Sequence, residues 1–275
     1  MLLPWILGCS ALRLSYGQGP TLAYWWLDGY ADFSTEQAPR VRQALADWFA
    51  WHRATQLPEY AQALAALQGL AADKVTPAQV CQTLDAWQRR LERAFDHAVP
   101  ALAAQLRTLS AEQLAHLERR QAQGLKEAAE KYLQADPAER QKAALERAVD
   151  QAELFYGTLE EPQRRLLAAM LLISPFDPER WLAERRQRNV ELMQRLRAWQ
   201  ADHADAATVQ AGLRRSAVEL LQSPRADYRA YAQRVREANC QLVARLHNEA
   251  TPAQRQRAVE RLRGWEDDLR ALTAR

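Results

Sequence analysis

The chain has 275 residues, of which 48% are hydrophobic, so it can bury a core as one large domain or two smaller ones. The formal net charge is only +3, and no block of five or six like charges occurs. A nucleic-acid-binding protein would need a concentrated basic surface, so we expect no nucleic-acid partner. Ala, Leu, Arg, Glu and Gln fill most positions, and β-branched residues are scarce, which predicts an all-α protein.

The N-terminus is an apolar run that ends in a small residue and a cysteine, Met1-Leu2-Leu3-Pro4-Trp5-Ile6-Leu7-Gly8-Cys9-Ser10. Its last part, Ile6-Leu7-Gly8-Cys9, matches the lipobox, at which a bacterial lipoprotein signal is cleaved before a cysteine that carries the lipid. Only eight residues precede Cys9 and none is basic, whereas a signal peptide has about 15 to 30 residues and a basic start. We interpret residues 1–8 as the remnant of a signal peptide; the alternative is a buried apolar N-terminus with an ordinary cysteine.

A lipid on Cys9 would attach the chain to a membrane by its first mature residue, because the apolar run is too short to span a bilayer. Ser10 follows the cysteine, and by the usual sorting rule Ser rather than Asp favours the outer membrane. We therefore expect a lipid-anchored, Trp-rich segment over residues 9–32 and a helical domain over residues 33–275 that faces the periplasm. The oligomeric state is not predicted.

Cys81 and Cys240 are the other two cysteines. In an oxidising periplasm they are candidates for a disulfide that joins an early helix to a late one. The alternative is two separately buried thiols.

Helix starts recur in one form, a Ser, Thr or Asp followed three residues later by Glu or Gln, which is the capping box. These pairs are Ser34/Gln37, Thr76/Gln79, Ser110/Gln113, Asp136/Glu139, Thr158/Glu161 and Thr251/Gln254. Apolar residues follow at helical spacing, and the connections are short. We predict about nine or ten helices in an irregular antiparallel bundle, with a turn at Gly17-Gln18-Gly19-Pro20 that breaks the first helix.

The most distinctive stretch is Trp25-Trp26-Leu27-Asp28-Gly29-Tyr30-Ala31-Asp32. Its aromatic rings and carboxylates could line a sugar or peptide groove. In the alternative, one Trp packs inward and the other rests at a membrane interface. Asp28 and Asp32 are one helical turn apart, a spacing suited to acid–base chemistry or a metal, but also to a cap or an Arg partner.

His52 follows an apolar stripe and precedes Arg53, so it is a candidate general base or a hydrogen-bonded core histidine. No His-Glu-x-x-His, Cys-x-x-Cys or Gly-x-Ser-x-Gly pattern occurs in the sequence. We therefore predict no catalytic centre, no metal site and no cofactor. The candidate ligand or interaction surface comprises Trp25, Trp26, Asp28, Tyr30, Asp32, His52 and Arg53.

Three stretches resemble an uncharacterised proteobacterial family of helical lipoproteins of unknown function. They are residues 9–18 with 22–32, Trp51-His52-Arg53 with Leu57-Pro58-Glu59-Tyr60, and Leu109-Ser110-Ala111-Glu112-Gln113-Leu114. The resemblance implies an envelope location, lipidation of Cys9 and an all-helical fold, and it brings no activity or catalytic residue. Gly17 departs from the Asn expected in that family. The helix start Leu109-Ser110-Ala111-Glu112-Gln113 also resembles those of small periplasmic chaperones, although a capping box alone explains it.

These observations favour a non-enzymatic interaction protein that is held at the membrane by its lipid and presents helical faces to an envelope protein partner. One alternative is a chaperone-like protein that binds exposed apolar segments of clients in a helical groove. Another is a cell-wall or lipid hydrolase using Asp28, Asp32 or His52, which requires those side chains to converge on one accessible cleft.

Overall fold

The computed structural model describes residues 10–274, so the expected signal remnant and the expected lipidation site at Cys9 lie outside the described residues. Every regular element in residues 10–274 is helical, which confirms the all-α class. The helices are α1 Ser10–Gly17, α2 Gly19–Ala31, α3 Gln37–Trp51, α4 Leu57–Ala72, α5 Pro77–Leu106, α6 Ala111–Tyr132, α7 Pro137–Tyr156, α8 Glu161–Leu172, α9 Pro178–Ala201, α10 Ala206–Leu221, α11 Ala226–Asn248 and α12 Pro252–Thr273, with a π-helical turn His52–Gln56 between α3 and α4.

The described helices exceed the nine or ten expected because the Trp-rich N-terminal segment itself contains α1 and α2. They are separated at Gln18, where the turn was expected. Gly19 is required there, since a Cβ at this position would lie 2.4 Å from a ring atom of Phe49 in α3. None of the helices in residues 10–274 combines the length and the apolar character needed to cross a bilayer.

Most helix starts follow local capping chemistry. Complete capping boxes form at Thr76, Ser110 and Thr251, so the backbone N–H groups of each first turn are satisfied by nearby side chains. The box expected at Thr158/Glu161 is wrong, because Glu160 and Gln163 form it instead. Asp136 caps α7 through the Ala138 N–H, without the reciprocal bond from Glu139.

Four capping-box glutamines also bind across the fold in two reciprocal pairs, which we call the glutamine clasps. Gln37 and Gln113 exchange side-chain hydrogen bonds of 3.3 and 2.8 Å and join the starts of α3 and α6. Gln163 and Gln254 exchange bonds of 2.6 and 3.0 Å and join the starts of α8 and α12. All four side chains are buried. Each clasp therefore fixes two helix starts that are far apart in sequence.

The remaining organisation comes from helix packing. Helix α12 packs along α4, and α11 packs along α5. A disulfide joins Cys81 of α5 to Cys240 of α11 across a sequence separation of 159 residues, with 5.6 Å between the Cα atoms. Helix α1 is held to α12 by an ion pair of 2.6 Å between Arg13 and the buried Asp268. The N-terminal segment is thus part of the packed fold.

Candidate functional site

A groove of about 970 Å³ runs between α5, α9 and α10. Its apolar floor includes Phe95 and Leu102 of α5, Leu192 and Leu196 of α9, and Leu213 of α10. The volume lies at the upper end of the range for ligand sites, about 300 to 1,000 Å³. The groove is therefore large enough for a sizeable apolar ligand.

The edge of the groove leaves large apolar side chains in contact with solvent. Leu91 of α5 is 65% exposed, and Val218 and Leu220 of α10 are 59% and 60% exposed. Exposed apolar residues that line one depression, rather than being scattered singly, usually mark a binding surface. Along α5 the apolar part of the lining runs from Leu91 to Leu106, about 22 Å at the helical rise per residue.

The charges around the groove compensate one another. Its lining contains four arginines, Arg188, Arg195, Arg214 and Arg225, and four carboxylates, Glu92, Asp96, Glu191 and Glu219. Each of these guanidinium groups is paired with a carboxylate: Arg195 with Glu219, Arg214 with Asp96, Arg225 with Glu184 and Glu191, and Arg188 with Glu184. The rim therefore has no net charge and offers no unpaired cation to an anionic ligand.

Glu184 of α9 anchors one end of this rim and is only 4% exposed. Its two oxygens accept bonds of 2.7 and 2.8 Å from the Arg225 guanidinium, and Arg188 donates a further bond of 3.0 Å. Burial alone would raise the pKa of Glu184, but hydrogen bonds from Arg225 and Ser223 and the positive charges of Arg188 and Arg225 hold it below the ordinary value. The carboxylate stays ionised and fixes the start of α11 against α9.

A second cluster surrounds the π-helical turn. The Tyr16 hydroxyl of α1 is hydrogen-bonded to His52 Nδ1 at 2.9 Å, and the Trp48 ring stacks on the imidazole at 4.6 Å between centroids. Tyr60 meets the same imidazole edge-on, and Arg53 lies over the Tyr16 ring. Burial lowers the pKa of His52 to about 4, so the ring is neutral near pH 7.

The surroundings of His52 are polar and incompletely paired. Within residues 10–274 the buried atoms Arg53 Nε, Gln56 Oε1, Tyr60 Oη and Arg90 Nε have no hydrogen-bond partner. Turns of π-helix often occur at functional sites. However, His52 is only 9% exposed, so this arrangement matches the hydrogen-bonded core histidine better than an accessible general base.

A second Tyr–His pair shows the fully partnered form of the same contact. His247 Nε2 bonds the Asp73 carbonyl at 2.8 Å and Nδ1 bonds the Tyr156 hydroxyl at 2.9 Å. Because a carbonyl only accepts, Nε2 carries the proton and the Tyr156 hydroxyl donates to Nδ1. Burial lowers the pKa of His247 as well.

The two aspartates singled out in the sequence organise the end of α2. Asp28 accepts a bond of 3.0 Å from the Phe33 N–H and one of 3.4 Å from the Tyr24 hydroxyl. Asp32 ends the helix in the left-handed region, with φ of 48°. In the described part of the chain no hydrogen bond connects either carboxylate with His52. The structure therefore does not bring the three residues of the hydrolase hypothesis into one cluster.

The two tryptophans of the same stretch point to solvent. Trp25 is 63% and Trp26 64% exposed, so neither packs inward. The ring centroids of Trp26 and Tyr30 are 5.0 Å apart. The Arg120 guanidinium of α6 lies over the Tyr30 ring. These residues form a surface that is separate from the residues that line the groove.

The groove was not predicted from the sequence. The spacing of Leu91, Phe95, Leu102 and Leu106 on α5 was an available signal for an apolar face, but not for a face left partly uncovered. Among the described residues no group of three or more His, Cys, Asp or Glu side chains is placed to hold a metal ion. The apolar groove is the candidate functional site, because it combines a large volume with exposed apolar side chains.

Comparison with known proteins gives one match. The model of a family of unknown function, DUF6279, matches residues 29–229. This range includes the helices that form the groove and both residues of the first glutamine clasp. No curated protein and no solved structure matches the chain. Since the match covers well over half of its length, the chain belongs to this uncharacterised family, DUF6279.

Proposed function

We propose that this protein is a lipid-anchored envelope protein that acts by binding, and that its groove receives an amphipathic helix of an envelope partner protein. The observation that carries the proposal is the apolar groove of about 970 Å³ between α5, α9 and α10. Helix-in-groove recognition places the apolar face of one helix against such a surface. The apolar part of the lining along α5, from Leu91 to Leu106 and about 22 Å long, matches about four turns of a helix.

The charge of the rim favours a peptide over a phospholipid in the groove. A phosphate headgroup is bound by free cations or clustered N–H donors, whereas each guanidinium on this rim already holds a carboxylate. An amphipathic helix places uncharged side chains on the floor of the groove and polar side chains beside the ion pairs of the rim. Binding such a helix therefore needs no excess of positive or negative charge on the rim.

Three features support the envelope location. Ile6-Leu7-Gly8-Cys9 matches the lipobox pattern, and lipidation of Cys9 would hold the folded part at the periplasmic face of the outer membrane. The Cys81–Cys240 disulfide is consistent with an oxidising compartment. The proteobacterial lipoprotein family that the sequence resembles would supply the same location. Labelled palmitate fed to cells that express the gene should reach the outer-membrane fraction with the wild-type chain and not with Cys9→Ser.

Binding in the groove is tested with purified full-length protein and a fluorescent amphipathic helical peptide of Leu, Ala, Glu and Lys. The groove variant Leu91→Asp/Val218→Asp should bind at least about tenfold more weakly, which corresponds to about 1.4 kcal/mol. The matched control is Leu172→Asp/Ile173→Asp, whose side chains are 69% and 76% exposed away from the groove. Equal affinities for both variants, with folding verified by circular dichroism, would contradict the proposal.

A chaperone-like role is a second candidate. The neutral rim favours this role, because a rim without net charge selects little among client proteins of different charge. In that case the protein should suppress aggregation of unrelated unfolded clients, and the groove variant should lose this effect. No suppression at several-fold molar excess, together with tight binding of one peptide, would assign the groove to a dedicated partner.

A further inference from the structure

One surface of the N-terminal helices remains uncovered by the fold. It consists of Leu14 of α1 and Leu22, Trp25 and Trp26 of α2, which are 66%, 46%, 63% and 64% exposed. The α2 members are spaced i, i+3 and i+4, so they form one stripe along the helix. We call this surface the tryptophan face.

The tryptophan face has no charge from its own helices. Arg13 and Asp28 are the two charged residues in α1 and α2. Arg13 turns to Asp268 of α12, and Asp28 binds the Phe33 N–H at the end of α2. Both helices therefore direct their charged side chains into the fold, while Leu14 of α1 and the two indole rings of α2 are exposed to solvent. Such a surface is unfavourable in water unless something covers it.

The chemistry and position of this face point to its occupant. Tryptophan is favoured at membrane–water interfaces, because its ring is apolar while its N–H can bond to headgroups and water. Cys9, the proposed lipid attachment site, lies directly before α1 in sequence. Helix α1 has eight residues, about 12 Å of length, so an attachment at Cys9 leaves the tryptophan face near the same bilayer.

We propose that the tryptophan face lies in the headgroup region of a phospholipid bilayer and holds the folded body against the membrane. This inference deepens the proposed membrane location but is independent of what the groove binds. It gives the protein a second membrane contact besides the proposed lipid on Cys9. The indole rings enter the interface while the ion pair between Arg13 and Asp268 keeps α1 docked on α12.

The test uses the full chain carrying Cys9→Ser, so that no lipid contributes, and vesicles of phosphatidylethanolamine and phosphatidylglycerol. Co-sedimentation should show binding that falls at least about tenfold in Trp25→Ala/Trp26→Ala, because two exposed rings are removed. The control Leu172→Ala/Ile173→Ala removes comparable exposed apolar area elsewhere and should bind like the parent. Brominated lipids should quench the parent fluorescence, and quenching should drop in Trp25→Phe/Trp26→Phe, which keeps the apolar surface.

Unchanged vesicle binding in Trp25→Ala/Trp26→Ala, or no binding by the parent chain, would overturn the assignment. A dimer in analytical ultracentrifugation that Trp25→Ala/Trp26→Ala dissolves would overturn it as well, in favour of a second copy as the occupant. Palmitate labelling of Cys9 and peptide binding by the groove are measured separately. Failure of the tryptophan face is therefore distinguishable from failure of the lipid anchor or of the proposed function.

Discussion

The same tetrapeptide occurs twice in the chain, once inside a glutamine clasp and once outside it. The copy outside is a control for measuring how much the clasp stabilises the fold. Thr76-Pro77-Ala78-Gln79 starts α5 and Thr251-Pro252-Ala253-Gln254 starts α12. Both form complete capping boxes. The difference lies in the surroundings, since Thr76 is exposed and Gln79 only half-buried, whereas Gln254 is 5% exposed and bound across the fold. We predict that Gln254→Ala lowers the free energy of unfolding clearly more than Gln79→Ala does.

The magnitude follows from the hydrogen bonds lost. Gln79→Ala removes the bonds that its Oε1 accepts from the N–H and hydroxyl of Thr76, a cap worth about 0.5 to 1 kcal/mol. Gln254→Ala removes the equivalent cap, and also the bond of 3.0 Å to the Thr158 carbonyl and both bonds to Gln163. Buried groups left unpaired cost about 1 to 3 kcal/mol, so we expect a total of roughly 3 kcal/mol.

The assay is guanidinium unfolding of both variants and the parent under oxidising conditions, followed by circular dichroism. Gln254→Ala should lower the free energy of unfolding by about 2 kcal/mol more than Gln79→Ala. If the unfolding free energies of the two variants differ by less than about 0.5 kcal/mol, Gln254 contributes no more than an ordinary cap. The clasps then do not hold the helix starts together.

Three further predictions concern stability. With a pKa of about 4 in the fold, His52 should lower the free energy of unfolding by roughly 2 to 3 kcal/mol as the pH falls from about 6.5 to 4, because only the unfolded chain takes up the proton. Urea titrations at several pH values should show a smaller loss of unfolding free energy in His52→Asn. Removing the disulfide with Cys81→Ala/Cys240→Ala should cost up to about 5 kcal/mol, from the length of the loop it closes, and a cost below about 1 kcal/mol would contradict its role. Gly19→Ala should lower the thermal midpoint because its Cβ meets an aromatic ring of α3, whereas Gly69→Ala in open space should raise it.

Local signals in the sequence predicted the helices well. Thr76, Ser110 and Thr251 start helices as expected because capping involves residues only three positions apart. The start of α8 was misplaced because Glu160 competes with Thr158 for the same role, and only the path of the preceding loop decides between them. The break before Gly19 was also predicted from its neighbours.

Non-local features were beyond the sequence. Gln37 and Gln113 look like ordinary capping residues, and nothing in their local pattern shows that they bind each other. Likewise the apolar face of α5 requires cover, but its spacing does not show that α9 and α10 leave Leu91 in contact with solvent. The outward direction of Trp25 and Trp26 also depends on which face of α2 meets α3 and α6.

Photo-crosslinking is the most direct test of whether the groove between α5, α9 and α10 receives an amphipathic helix. A photoreactive residue is introduced at Val218 in the groove or at Ile173 outside it, and a labelled amphipathic helical peptide is added with and without unlabelled competitor. We expect strong crosslinking at Val218 that the unlabelled peptide competes away, and only background crosslinking at Ile173. Equal yields at the two positions, or no competed crosslink at Val218, would contradict it.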